Sequence, residues 1–186
     1  ITDYKDRNTC VLFGDGAGVV ILQQRAEEGI IRSHLGGDYN HRDLLVLRKN
    51  EENGNRFMWM DGRKVYVFAK GVMVESCLRV LDPGGTASEE DLHALFDQVS
   101  KIIPHQANAR IIKGAAKDLE ARLDVPKGSF DKKMIVTIEK YGNNSTASIP
   151  LALDESLRHG KLKKGDLVIL VGFGAGLTYG ANLVRL

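Results

Sequence analysis

Cysteine is scarce in this chain, with only Cys10 and Cys77 among 186 residues, and no cysteine or histidine has a partner at metal-ligand spacing. That excludes a recognisable metal motif and points to a reducing compartment, the cytoplasm by default. An excess of one charge is lacking too. The formal net charge is +2, and no run of like charge reaches the length of a nucleic-acid arm, so neither nucleic acid nor a membrane is an expected partner. The longest apolar run, Leu167 to Val171, is far too short to span a bilayer, and no signal-peptide pattern opens the sequence. What is left is a chain long enough to bury a real core, as one domain or as a domain and a fragment.

The richest stretch runs from Lys101 to Arg110, where a short apolar segment stops at Pro104-His105-Gln106-Ala107-Asn108. Val99 to Ile103 predicts a buried strand, because it is short, β-branched and closed by proline. From Asn108 onward the spacing predicts an amphipathic helix. Ile111, Ile112, Ala115, Ala116, Leu119 and Leu123 share one face, and Arg110, Lys113, Lys117 and Glu120 share the wet one. His105 thus falls at the carboxyl end of a strand just before a helix, where open α/β sheets place their ligand crevices. The bland alternative is a hydrogen-bonded turn histidine.

A second stretch, Tyr141-Gly142-Asn143-Asn144-Ser145-Thr146-Ala147-Ser148, has the same logic. It follows a strand candidate, Met134 to Ile138, and precedes a helix, Thr146 to Arg158, with Ser145 or Asn144 as N-cap and Pro150 tolerated in the first turn. Both junctions then bring a neutral hydrogen-bond donor, His105 and Asn143, to one sheet edge. Neither carries a carboxylate of the kind that orients a proton-relay histidine. Two neutral donors suit an oxygen that turns negative during reaction, as in an enolate.

With the closing run Gly172-Phe173-Gly174-Ala175-Gly176-Leu177-Thr178-Tyr179-Gly180, these motifs resemble β-ketoacyl-[acyl carrier protein] synthase III, a condensing enzyme of the thiolase fold. The resemblance spans the whole chain. It implies an α/β fold, the C-terminal half of a thiolase-like, five-layer sheet-and-helix architecture, over residues 57–186. Residues 1–56 would be the closing strands and crossover of the N-terminal half. It implies decarboxylative condensation of acyl-CoA with malonyl-acyl carrier protein, with no cofactor and with acyl-CoA and the phosphopantetheine arm as substrates. His105 and Asn143 would be catalytic, the Ala175 amide would join the oxyanion hole at a position where the family commonly has glycine, and Asn108 and Gly62 would line the pantetheine tunnel. Arg110, Lys113 and Lys117 would receive the acidic acyl carrier protein, although Asp118 stands where some members carry a further lysine. A cytoplasmic homodimer is implied for the full-length protein. The family's nucleophile is a cysteine at a strand-to-helix elbow of the N-terminal half, a context that neither cysteine here has, so the nucleophile is expected to be missing. Related polyketide-starter or hydroxymethylglutaryl-CoA-type synthases, and a non-catalytic fragment or subunit, remain alternatives.

The rest of the chain fills in around these motifs. Thr9 to Phe13 and Val19 to Leu22 predict two strands about the turn Gly14-Asp15-Gly16-Ala17-Gly18. That glycine pattern leads into a strand and lacks a following Lys-Ser/Thr, so it fails as a phosphate loop. Cys10 inside that strand and Cys77 inside a helix read as small buried hydrophobes. Gly29 to Leu35 predicts a strand, Asn50 to Asn55 a surface loop, and the stretch after Asp61-Gly62-Arg63, to Leu81, a helix buried over most of its circumference. Met58, Trp59 and Met60 read as core residues on composition alone. Asp82-Pro83-Gly84-Gly85 ends the helix, and Ser88 caps the next one. Leu167 to Phe173 and Gly176 to Arg185 predict a closing antiparallel pair.

Overall fold

The computed structural model describes residues 1–24, 26, 29–51 and 53–186. In chain order the elements are β1 (Ile30–Gly37), β2 (Leu45–Lys49), β3 (Arg56–Met60), α1 (Gly62–Leu81), α2 (Glu89–Gln98), β4 (Val99–Pro104), α3 (Ala109–Arg122), α4 (Ile138–Tyr141), α5 (Ser148–Arg158), β5 (Leu167–Gly174) and β6 (Thr178–Arg185). Four strands form one mixed sheet in the order β1-β6-β5-β4, and β2 and β3 form a separate hairpin. β4 and β5 are parallel, while β6 runs antiparallel to both β5 and β1.

Period-two alternation along the inner strands divides the core in two. Ile102, Ile169 and Val171 pack with α1, α2 and α3, whereas Ile103 and Val168 pack with Ile135 and with Ala152 of α5. Helices therefore cover both faces of the sheet. β1 pairs with β6, and the β2–β3 hairpin sets Lys49 against Arg56 and Arg48 against Phe57. The boundary expected between residues 56 and 57 thus runs through one hairpin, and a strand from before it completes the main sheet.

Helix termini follow the local code where a side chain is free to act. Ser88 and Asp91 form a capping box on α2, Asp61 caps α1 through the Lys64 N–H, and Asn108 caps α3 through the Arg110 N–H. α1 is buried nearly all round only from Met73 onward; nearer its start one face packs through Val65 and Ala69, and Val67 is exposed.

Four expectations need correction. The N-terminal residues form no hairpin: residues 7–12 are turns and 14–24 are irregular, with one isolated bridge between Phe13 and Asn143. A strand needs a neighbour along its length, and none of the described residues supplies one; Val19, Ile21 and Leu22 are exposed. Cys10 consequently sits half-buried on a turn. Met134 to Ile138 is no full strand. It makes one bridge, Met134 to Ile102, before α4 begins. α5 starts at Ser148, capped by neither Asn144 nor Ser145, because Ser145–Ala147 winds as a 3-10 turn that carries the chain into the helix. Glu120, expected on the wet face of α3, is buried, and its Oε1 accepts from the Gly128 and Phe130 N–H groups at 2.9 and 3.1 Å. Two charge-assisted bonds offset the desolvation of that carboxylate.

Candidate active site

The end of β4 fixes His105. Its N–H donates to the Val171 carbonyl at 2.7 Å, extending the β4–β5 ladder by one bond, and its ring and that of Phe173 pack in a T-shaped arrangement with centroids 5.5 Å apart. Nδ1 lies 2.7 Å from Ser148 Oγ. Burial pushes the imidazole down to about 4, so it is neutral near pH 7. No carboxylate bonds this ring among the described residues.

Asn143 is held from both sides. Its N–H donates to the Leu12 carbonyl at 2.9 Å, and its own carbonyl accepts from the Gly14 N–H at 3.0 Å. A Cβ at Gly14 would come within 2.4 Å of the Tyr141 carbonyl oxygen, so only glycine permits that approach. The glycine run therefore serves as a close-packed seat for the Asn143 loop. The Asn143 side chain accepts from the Ser145 N–H through Oδ1 at 2.9 Å, which leaves its amide hydrogens without a protein acceptor among the described residues.

His105, Asn143, Asn108, Arg110, Gly62 and Ala175 all line one cavity of about 990 Å³, closed on another side by the β2–β3 hairpin through Met58, Trp59 and Met60. These three are half-buried cavity residues, not full core. Two neutral polar ends thus face a partly apolar chamber large enough for an extended substrate arm.

The family description 3-oxoacyl-[acyl-carrier-protein] synthase III C terminal matches residues 93–186, and the companion description 3-oxoacyl-[acyl-carrier-protein] synthase III matches residues 1–39. The chain belongs to the β-ketoacyl-[acyl carrier protein] synthase III family. It is 42% identical to the β-ketoacyl-[acyl-carrier-protein] synthase III of Clostridium tetani over all of this chain and 56% of that protein. The crystal structure of 3-oxoacyl-[acyl-carrier-protein] synthase III from Aquifex aeolicus superposes with a TM-score of 0.79 at 39% identity, covering 100% of this chain and 54% of that one. A priming β-ketosynthase from the R1128 polyketide pathway superposes with a TM-score of 0.75 at 28% identity, again covering 100% of this chain and 53% of that one. The chain spans about half the length of the curated relatives it matches.

Other expected residues of this synthase-family chain lie apart from the chamber. Lys113 and Lys117 do not line it; they border a smaller hollow of about 360 Å³ with Ile112, Ala116 and Met134. Asp118 forms an ion pair with Lys70 at 2.9 Å, which holds the Lys70 ammonium above its usual range. Neither Cys10 nor Cys77 lines the chamber, and burial pushes the Cys77 thiol up to about 12, far from a thiolate. Among the described residues no group of three or more His, Cys, Asp or Glu converges to hold a metal, and no helix is long and apolar enough to cross a membrane.

Two residues of the site were not singled out from sequence. Gln106 is buried and uses its whole amide: Nε2 donates to the Pro104 and Ile135 carbonyls at 2.8 and 3.0 Å, and Oε1 accepts from the Thr137 and Ile138 N–H groups at 2.8 and 3.1 Å. It replaces the strand pairing that residues 134–138 lack and ties the His105 loop to the segment leading to Asn143. A long amide beside the motif histidine was its only signal. Ser148 had none, because its partner lies 43 residues away in the chain.

Proposed function

We propose that this chain carries the condensation half of a fatty-acid-initiating synthase. Malonyl-acyl carrier protein loses CO₂, the electron pair of the broken C–C bond passes into an enolate, and the enolate carbon attacks an acyl thioester, expelling the thiolate. His105 and Asn143 donate hydrogen bonds to the malonyl thioester oxygen as it gains charge. The observation that carries this reading is their meeting in one cavity, each with its other polar end already engaged, His105 Nδ1 near Ser148 and Asn143 Oδ1 on the Ser145 N–H. Asn108 and Gly62 flank the pantetheine arm, and the Ala175 amide completes the oxyanion hole. The acyl group rides on a cysteine other than Cys10 and Cys77. The acidic carrier protein docks across Arg110, Lys113 and Lys117, and the complete enzyme works as a cytoplasmic homodimer.

The test is made in protein joined to a cysteine-bearing half. His105→Ala and Asn143→Ala should each lower condensation about 100- to 1,000-fold while acyl loading of the nucleophile persists. Condensation within about threefold of the parent rate would remove both residues from the chemistry. The likeness to a priming polyketide ketosynthase favours a second reading, a starter synthase for polyketide assembly. Comparing malonyl-acyl carrier protein from fatty-acid and polyketide systems as nucleophile donors, by product analysis, separates the two.

A further inference from the structure

We propose that the Ser148 hydroxyl holds His105 in the tautomer with its proton on Nε2, which makes Ser148 a positioning residue for the group facing the cavity. Its use in catalysis rests on the reading of His105 as a donor; its geometry does not. Ser148 is 1% exposed, so its hydroxyl proton has no water to meet. A hydroxyl has one proton and two acceptor sites. Here the oxygen accepts from the Gln106 N–H at 3.2 Å, and the only other polar partner among the described residues is His105 Nδ1 at 2.7 Å.

The usual escape for a helical serine is a bond to the carbonyl four residues earlier. Ser156, on the same helix, takes it and donates to the Ala152 carbonyl at 2.7 Å, but Ser148 makes no such bond. Its proton is therefore directed at Nδ1. The opposite tautomer would point Nδ1–H at an oxygen already accepting from Gln106 and strand the hydroxyl proton in the interior, a cost of about 1–3 kcal/mol. A neutral imidazole that accepts on one nitrogen donates from the other. Nε2 meets no protein acceptor among the described residues, so its N–H is free for a ligand oxygen. The depressed basicity of the ring keeps this arrangement in place near neutral pH.

The experiment is a long-range ¹H–¹⁵N correlation spectrum of the full chain labelled with ¹⁵N-histidine, the His105 signals being assigned by their loss in His105→Gln. At neutral pH a single tautomer with the proton on Nε2 is expected. Ser148→Ala should shift both ring nitrogens toward the values of a tautomer mixture, and Ser148→Thr, which keeps the hydroxyl, should return the single pattern. A proton on Nδ1 in the parent, or an unchanged spectrum in Ser148→Ala, would overturn the proposal. Should the alanine variant not fold, the parent and threonine spectra still decide. The spectrum needs no turnover, so it is independent of the condensation assay, which bears on the donor reading alone.

Discussion

The loop carrying His105 leaves a strand paired along its length and enters a helix capped by Asn108, whereas the loop carrying Asn143 leaves the four-residue α4, which a segment with one bridge precedes, and enters a helix without a side-chain cap. The first loop is positioned by local rules that any strand-to-helix junction obeys. The second is positioned from outside itself, by the Gln106 amide on one flank and by the Leu12 and Gly14 backbone on the other. Two donors aimed at one cavity can thus rest on unlike supports, and each support can be removed separately.

The largest effect is expected from removing the outside support. Gln106→Met strands the Thr137 and Ile138 N–H groups and two carbonyls, which should cost about 3 kcal/mol or more, read as a lowered urea midpoint. Exchange of the Thr137 and Ile138 amides should rise more than that of β4, since β4 keeps its ladder with β5.

Acid probes the first loop. Because burial pushes His105 down to about 4, the unfolded chain binds the proton first, at about 6.5. Stability linked to this ring is present above that upper value and is lost as pH falls toward the lower one. Urea unfolding at about pH 7 and about pH 5 should show a drop in the parent chain that is smaller in His105→Gln. An equal drop would mean the ring is solvated in the folded state.

The smallest effect compares the helix starts directly. Asn108→Ala should cost about 1 kcal/mol through loss of the α3 cap. Ser145→Ala should cost less than about 0.5 kcal/mol, because its side chain caps nothing. Equal losses would erase the distinction between the loops.

Legibility in the sequence tracked this same division. The strand Val99 to Ile103, the helix after Pro104-His105-Gln106-Ala107-Asn108, the Ser88 cap and the closing β5–β6 pair were readable because proline, polar caps and alternation act within a few residues. The stretch from Met134 to Ile138 looked like a strand, since its composition is that of one; the partner that replaced its ladder is a side chain from another loop. Thr9 to Leu22 misled in the same way, as β-branched composition without a neighbour makes no sheet. Arg110, Lys113 and Lys117, read from sequence as one docking patch, divide between two hollows: Arg110 lines the chamber, while Lys113 and Lys117 border the smaller one.

The sequence by itself determined the α/β class, the two polar motifs and their order along the chain, because propensity, capping and periodicity are short-range. Only the tertiary structure decided that His105 and Asn143 share a chamber, that Gln106 stands in for a strand and that Ser148 meets the imidazole. Those outcomes depend on hydrogen-bonding groups far apart in sequence finding each other in a buried space where none can be left unpaired.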